Sequence, residues 1–353
     1  MKRSALALTL LACGARSALE QDGGAGGTSS GGAPSGVSQS TGPGGGCVAH
    51  RFDLAGAGAL ALKVDGETAY ATTVDGRIVA ADLETGESTV LVEGAGTLGD
   101  LVVFDGFVIY SDESAIRRVP TSGGTPELLV ELTQGPSYSM AVESQGLYWI
   151  EGPGNLGPHI IKRSGPDGIQ TLVTDVQYPA GLALGARGVI FTDEYPFGGH
   201  GAVNVVDRDG GPTELLSDVN LGPKLPFEFG EFDYWIEQHD EEFSNFGGIA
   251  RVPVEGGPRE KVLSLNQMFP ISAASDGQRY YLTVLVEQMP GSALISSSFP
   301  IAGSPVIVVA GQAEEFFTAV ATSQQFVVWT VQQYPGSELG VDGIQTLCKS
   351  DLL

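Results

Sequence analysis

From residue 48 onward the chain alternates short apolar runs with turn residues, and the alternation repeats. Each unit opens with an apolar strand of four to eight residues, a tight turn often containing glycine, and a second strand rich in aromatics. A loop follows, then two more short strands joined by a Gly-rich turn. The first turns fall at Asp65-Gly66, Asp105-Gly106, Gln145-Gly146, Arg187-Gly188, Glu231-Phe232, Asp276-Gly277 and Gln324-Gln325, spaced 40, 40, 42, 44, 45 and 48 residues apart. Asp-Gly between alternating apolar runs is a strong hairpin signal, because a type I′ turn needs positive φ at both central residues. The fifth and seventh turns lack glycine. The second hairpin recurs as Ala115-Ile116-Arg117-Arg118-Val119-Pro120 before Gly123-Gly124, and as Gly248-Ile249-Ala250-Arg251-Val252-Pro253 before Gly256-Gly257. Nowhere do more than ten residues show the i, i+3, i+4, i+7 spacing of an amphipathic helix.

Four-strand units repeating every 40–48 residues predict an all-β chain folded as a β-propeller. The count is seven blades, with six as the alternative. The seventh unit stops early: Phe326–Thr330 and Ile344–Cys348 supply strands, and the chain ends at Leu353 without an outer one. The missing strand is available in Val48–Leu54, so the ring is expected to close by pairing its two ends. Cys348 would then end one strand where Cys47 begins its neighbour, and a Cys47–Cys348 disulfide is predicted in place of the usual turn.

Tyr148-Trp149-Ile150-Glu151, followed by Ile160-Ile161-Lys162-Arg163 and Pro166-Asp167-Gly168, resembles the YWTD type of propeller repeat. The Val-Pro-x-x-Gly-Gly units are similar to those of uncharacterised extracytoplasmic bacterial propellers. The resemblance covers residues 58–348 and concerns the scaffold, which hosts many functions and implies none of them.

The amino-terminal residues add an address. Met1-Lys2-Arg3 is a basic head and Ser4–Leu11 a short apolar run, far below the ~20 residues of a membrane-spanning helix. Leu10-Leu11-Ala12-Cys13 resembles a lipobox, the cleavage pattern of bacterial lipoproteins. Residues 1–12 then read as a signal peptide and Cys13 as the lipidation site, with ordinary cleavage as the alternative. Gly14 follows, with no Asp to signal inner-membrane retention, so the resemblance implies an outer-membrane anchor, periplasmic or at the cell surface. Residues 14–46 are Gly/Ser-rich and unpatterned, a tether reaching roughly 30 Å; the propeller is assigned to residues 47–353.

The chain of 353 residues has 42 acidic and 18 basic side chains, a formal charge of −24. So acidic a surface repels phosphate backbones, which argues against nucleic acid as a partner. The membrane, through the lipid, is the one partner named; a protein or small-molecule ligand is left unspecified.

Candidate chemistry is sparse. Antiparallel blades send their first and last turns to one face and their middle loops to the other, and the middle loops are long in blades 3 to 7 (151–158, 193–201, 237–247, 287–292, 332–343). Long loops on a rigid scaffold are where binding usually resides. His159, His200 and His239 fall in or beside them, near Glu151, Asp193, Glu194, Glu237, Asp240, Glu241 and Glu242. Such groups can ligate a divalent metal, but the spacing is loose, and a solvated acidic rim with exposed histidines is the plainer expectation. Glu228, Glu231 and Asp233 are the only carboxylates grouped near an inner strand. With His200, His239 and Asp240 they complete the weak metal candidates; no cofactor is assigned, calcium being the one the acidic groups would admit. Asp207-Arg208-Asp209-Gly210-Gly211 opens like a calcium loop but lacks its later ligands and reads as a turn. Trp149, Trp235 and Trp329 lie on second strands and are expected between blades. No nucleophile elbow, phosphate loop or Cys-x-x-Cys occurs, and no catalytic residue is assigned. The expectation is a non-catalytic binding or scaffolding module, with a metal-dependent hydrolase or lactonase at the channel mouth as the alternative.

Overall fold

The computed structural model describes residues 47–54, 58–153, 158–194, 201–219, 222–238, 247–265, 267–286, 291–298, 305–312, 315–333 and 342–352. These form seven antiparallel sheets of four strands. Blades 1 to 6 use consecutive strands, spanning 59–92, 101–131, 137–176, 179–219, 223–264 and 268–310. Blade 7 takes Glu315–Thr322, Phe326–Gln333 and Gly343–Cys348, and its outer strand is Arg51–Asp53 from the other end of the chain. Inner strands of successive blades touch from blade 1 through blade 5, the second strand of blade 5 meets the inner strand of blade 6, and the inner strand of blade 7 contacts that of blade 1. The molecule is a closed seven-bladed β-propeller, as the repeat predicted. Among the described residues no helix is long and apolar enough to cross a membrane.

The closing seam is short but doubly fixed. Arg51, Phe52 and Asp53 pair with Gln345, Ile344 and Gly343. Cys47 and Cys348 are bonded, with Cα atoms 6.0 Å apart. The His50 amide donates to Thr346 Oγ1 at 2.6 Å, and the Thr346 amide donates back to the His50 carbonyl at 3.0 Å. Phe52 and Leu54 are buried in the cluster that holds Leu83, Ile344 and Cys348, each contributing about 1.5–3 kcal/mol by burial. Arg77, from the middle loop of blade 1, donates to the Leu54 carbonyl at 2.5 Å. Beyond the disulfide, Lys349 reaches Asp276 and the Ser323 carbonyl, both at 2.7 Å, so the carboxyl-terminal turn clasps blade 6.

Around the axis the blades are stitched by inner-strand side chains. In six blades the pairing of inner and second strands shifts at the same place, for example between Ser137 and Ser139 and between Pro270 and Ser272. Such a bulge re-aims a side chain, here toward the next blade. Ser139 Oγ accepts from the Leu182 amide and Ser272 Oγ from the Val320 amide, both at 3.2 Å. Asp100 does the same for the Met140 amide at 2.9 Å.

The turn chemistry differs from the sequence expectation: Gly66 and Gly277 have positive φ but Asp65 and Asp276 do not, and the fifth turn, expected to lack glycine, holds Gly230 at a φ of 62°. Asp105 and Gly106 both have positive φ, as a type I′ turn requires. Gly146 and Gly188 instead begin the second strand after the turn. A Cβ there would meet the Ser164 carbonyl oxygen at 2.5 Å or the Val206 carbonyl oxygen at 2.1 Å. Those glycines allow the third strand to approach.

Candidate functional site

Of the carboxylates expected on the long-loop rim, those among the described residues are tied into the frame, Glu194 through an ion pair with Lys224 at 3.1 Å. Blades 2 to 5 place Asp112, Glu151, Asp193 and Glu237 at, or just past, the end of the second strand. Glu151 is fully buried. It accepts from the Thr133 and Gln134 amides, both at 2.5 Å, from the Trp149 indole at 3.0 Å and from Lys162 at 3.1 Å. The two amides lie on the connection from blade 2 into blade 3, so Glu151 latches one blade to the next. Burial pushes its carboxyl up, but these donors outweigh it and hold the group below the usual carboxylate range. Glu237, equally buried, accepts from the Trp235 indole at 3.1 Å and from two nitrogens of Arg259 at 2.7 and 2.5 Å. Asp193 accepts from the Tyr178 amide at 2.7 Å on the connection into its own blade. Asp112 binds the Ser114 and Ala115 amides and Arg117. An anion already supplied with several donors is poorly placed to ligate a metal.

His159 also departs from the expectation of an exposed rim. It is 2% exposed, edge-on to Tyr138 with ring centroids 4.9 Å apart, and Nδ1 lies 3.3 Å from the Val176 carbonyl. The residue opens the third strand of blade 3 and faces the apolar layer, which loop-level sequence reading does not resolve. His200, His239, Asp240, Glu241 and Glu242 lie outside the described residues. Among the described residues no three His, Cys, Asp or Glu side chains converge as a metal site would require.

The three tryptophans are buried between blades as expected. Trp149 and Trp235 give their indole N–H to the acid two residues on. At Trp329 that position is Val331, and the buried indole nitrogen has no acceptor. The Asp207–Gly211 segment is a turn: the Asp209 amide donates to Asp207 Oδ1 at 2.9 Å, while Asp209 pairs with Arg163. Arg208 Nε reaches Glu143 of blade 3 at 2.7 Å.

The axis holds a cavity of about 440 Å³ walled by inner strands of six blades and by Leu98–Asp100 on the connection into blade 2. Its wall is mixed, with Leu62, Met140, Leu182 and Phe227 beside Lys63, Asp100 and Glu228. Of the three blade 5 carboxylates singled out in the sequence, Glu228 and Asp233 are brought together, paired directly across the inner and second strands. Glu231 stays in the exposed turn. Glu228 lines the cavity and accepts the Ala186 amide of blade 4. Asp233 is 1% exposed, and as a carboxylate neither of its oxygens has a donor. Burial, and next the charge of Glu228, push its carboxyl up to about 6, against a smaller pull from Arg187.

No protein-family model matches the sequence, and no curated protein matches it. Solved structures match the fold. The β-propeller domain of the Trilobed protease from Pyrococcus furiosus, described as having an open velcro topology, aligns with a TM-score of 0.62 at 10% identity, over 84% of this chain and 94% of that one. The WD40 β-propeller domain of Doa1 aligns at 0.60 and 12% identity, over 85% and 98%. An acylaminoacyl peptidase aligns at 0.58 and 9% identity over 78% of this chain, which spans 49% of that enzyme. At these identities the likeness is one of fold alone.

Proposed function

We propose that the chain is a lipid-anchored envelope propeller that acts as a non-catalytic binding or scaffolding module. In this reading Cys13 carries the anchor, residues 14–46 form the tether, and the face bearing the middle loops meets a protein or small-molecule ligand outside the cytoplasm. The observation that supports it is an asymmetry between the two faces. Inner and second strands are joined by only two or three residues in every blade. Second and third strands are separated by four and three residues in blades 1 and 2, but by seven, seven, ten, five and nine in blades 3 to 7. Because the strands are antiparallel, these intervals emerge on one side of the ring; on the other, third and fourth strands are separated by five, six, two, seven, six and seven residues in blades 1 to 6, so the ten- and nine-residue intervals of blades 5 and 7 exceed every connection there. Tight turns suffice to fold a blade, so the extra length on one face is extra surface for recognition. The disulfide suits an oxidising compartment, and it sits where the tether would join the domain.

The test is a chain in which residues 238–247 and 334–342 are each replaced by the four-residue connection of blade 1. Wild type and variant are probed against arrays of envelope peptides and oligosaccharides. Expected are an unchanged fold by near-ultraviolet circular dichroism and loss of the wild-type binding. Binding retained by the shortened chain, or turnover of lactone or ester substrates by the wild type, contradicts the reading.

A further inference from the structure

One position breaks the regularity of the ring. The second residue of the second strand is buried in every blade, and six blades fill it with Ala69, Val108, Leu147, Val189, Tyr280 or Val327. Blade 5 fills it with Asp233. An acid in such an interface is costly unless it has donors, and nothing in the blade architecture asks for one, since valine serves elsewhere. The space around it is shaped as well. Gly185, at the end of the inner strand of blade 4, faces the pair: a Cβ there would lie 2.7 Å from Glu228 Oε2 and 3.2 Å from Asp233 Oδ1. Blades 1, 2 and 3 carry Asp65, Phe104 and Glu143 at the matching position. Only one donor is fixed on the pair, the Ala186 amide on Glu228. The nearest cation, Arg187, gives one terminal nitrogen to Glu214, while its buried Nη1 has no partner among the described residues.

We infer that Glu228 and Asp233 form a binding site for the ammonium group of a primary alkylamine that enters the axial cavity. The pair offers two negative charges and several free lone pairs, one member lining the cavity and the other buried behind it. A primary ammonium brings one positive charge and three N–H donors. It would rest on Glu228, the member that reaches the cavity wall, with Asp233 behind it raising the local negative potential. The stem of the amine would extend into the axial cavity, whose lining includes Leu62, Met140 and Leu182. A divalent metal fits less well, because two carboxylates fall short of the six or more oxygen ligands calcium takes, and Arg187 repels a cation of higher charge more strongly. The charged groups that face Asp233 are Glu228 from its own blade and Arg187 from the turn of blade 4. When pH falls through about 6, Asp233 takes up a proton and the site loses a charge.

The experiment is isothermal titration of n-hexylamine into the full chain carrying Cys13→Ser, which keeps the protein free of detergent, with 1-hexanol and calcium chloride as controls. Expected at pH 7.5 is saturable one-to-one binding of hexylamine and none of hexanol. Losing one charge-assisted hydrogen bond, worth about 1.5–3 kcal/mol, lowers affinity at least about tenfold in Glu228→Gln. Asp233→Asn, and the wild type at pH 5, should both bind more weakly than the wild type at pH 7.5. Asp233→Asn is isosteric and keeps the site testable should Glu228→Gln fold poorly. Three results overturn the assignment: no saturable amine binding by the folded wild type, equal affinity in a folded carboxylate variant, or calcium binding that depends on the same two residues and excludes the amine.

Discussion

Replacing Asp233 with asparagine should make the protein more stable at neutral pH, although it removes a buried charge from a tightly packed interface. Burial and Glu228 raise the Asp233 carboxyl from 3.8 to about 6 in the folded chain. A group whose folded value lies above its unfolded value binds more protons in the native state between the two. Stability therefore falls as pH rises through that window and stays low above it. A displacement of about two pH units corresponds to roughly 3 kcal/mol, a substantial part of the 5–15 kcal/mol that stabilises a typical domain. Asparagine has the same shape, carries no charge and can donate to Glu228. Asp233→Asn is therefore expected to gain about 2–3 kcal/mol at pH 7.5 and close to nothing at pH 4, where the wild-type acid is already neutral. Urea unfolding of both proteins at the two pH values, with the slope checked for constancy, measures the difference directly. Equal differences at both pH values, or a variant less stable than wild type at pH 7.5, would refute the reasoning: Asp233 would then be ionised and held by donors at neutral pH.

Glu151→Ala should cost about 3–5 kcal/mol, because Lys162 and the Thr133 and Gln134 amides lose their acceptor; thermal unfolding reads it, and a change under 1 kcal/mol would mean that the latch between blades 2 and 3 is dispensable. Asp112, Glu151 and Asp276 all have carboxyls held below the usual range by their partners. Their contribution is present above about pH 4 and is lost as pH falls through their lowered values, so acid unfolding should begin below pH 4 and shift upward in Lys349→Ala, which strips Asp276 of its cation. Cys13→Ser should release the protein from membranes into the soluble exported fraction, and globomycin should cause the precursor to accumulate; membrane association unchanged by the substitution would remove the anchor.

The repeat was legible because propeller blades are local structures. Each hairpin announces itself within about ten residues, as Asp105-Gly106 does between Leu101–Phe104 and Phe107–Ser111. Ring closure was legible for a different reason: a unit lacking its outer strand and a spare strand 300 residues away have only one way to pair. The roles of the carboxylates were not legible. Glu151, Asp193 and Glu237 read in sequence as rim ligands, and only the donors the fold brings to them show that they are structural: amides on the connection out of blade 2 for Glu151, the Tyr178 amide for Asp193, and Arg259 of the same blade for Glu237. The signal that was available is the Trp-x-Glu spacing of Trp149 with Glu151 and Trp235 with Glu237, since alternate strand residues share a face. His159 was misplaced on an exposed rim because strand boundaries drawn from sequence are uncertain by a residue or two, and one residue decides which face a side chain takes. Asp233 was singled out with Glu228 and Glu231, but its break of a buried apolar position shows only when the second strands of the blades are aligned.

The closure of the ring by its own two ends carries the account, since it fixes the number of blades, the place where the tether would join and the face that is left to bind. Non-reducing peptide mapping of the purified protein, followed by thermal unfolding with and without reductant, tests it most directly. The account predicts one linked peptide joining Cys47 to Cys348. Bridging residues 301 apart is worth about 5–6 kcal/mol in the chain-entropy model and often less in practice, so reduction should lower the melting temperature by roughly 5–15 °C while the strand pairing of Arg51–Asp53 preserves the fold. Both thiols free in the purified, unreduced protein, or a melting temperature indifferent to reductant, would contradict it.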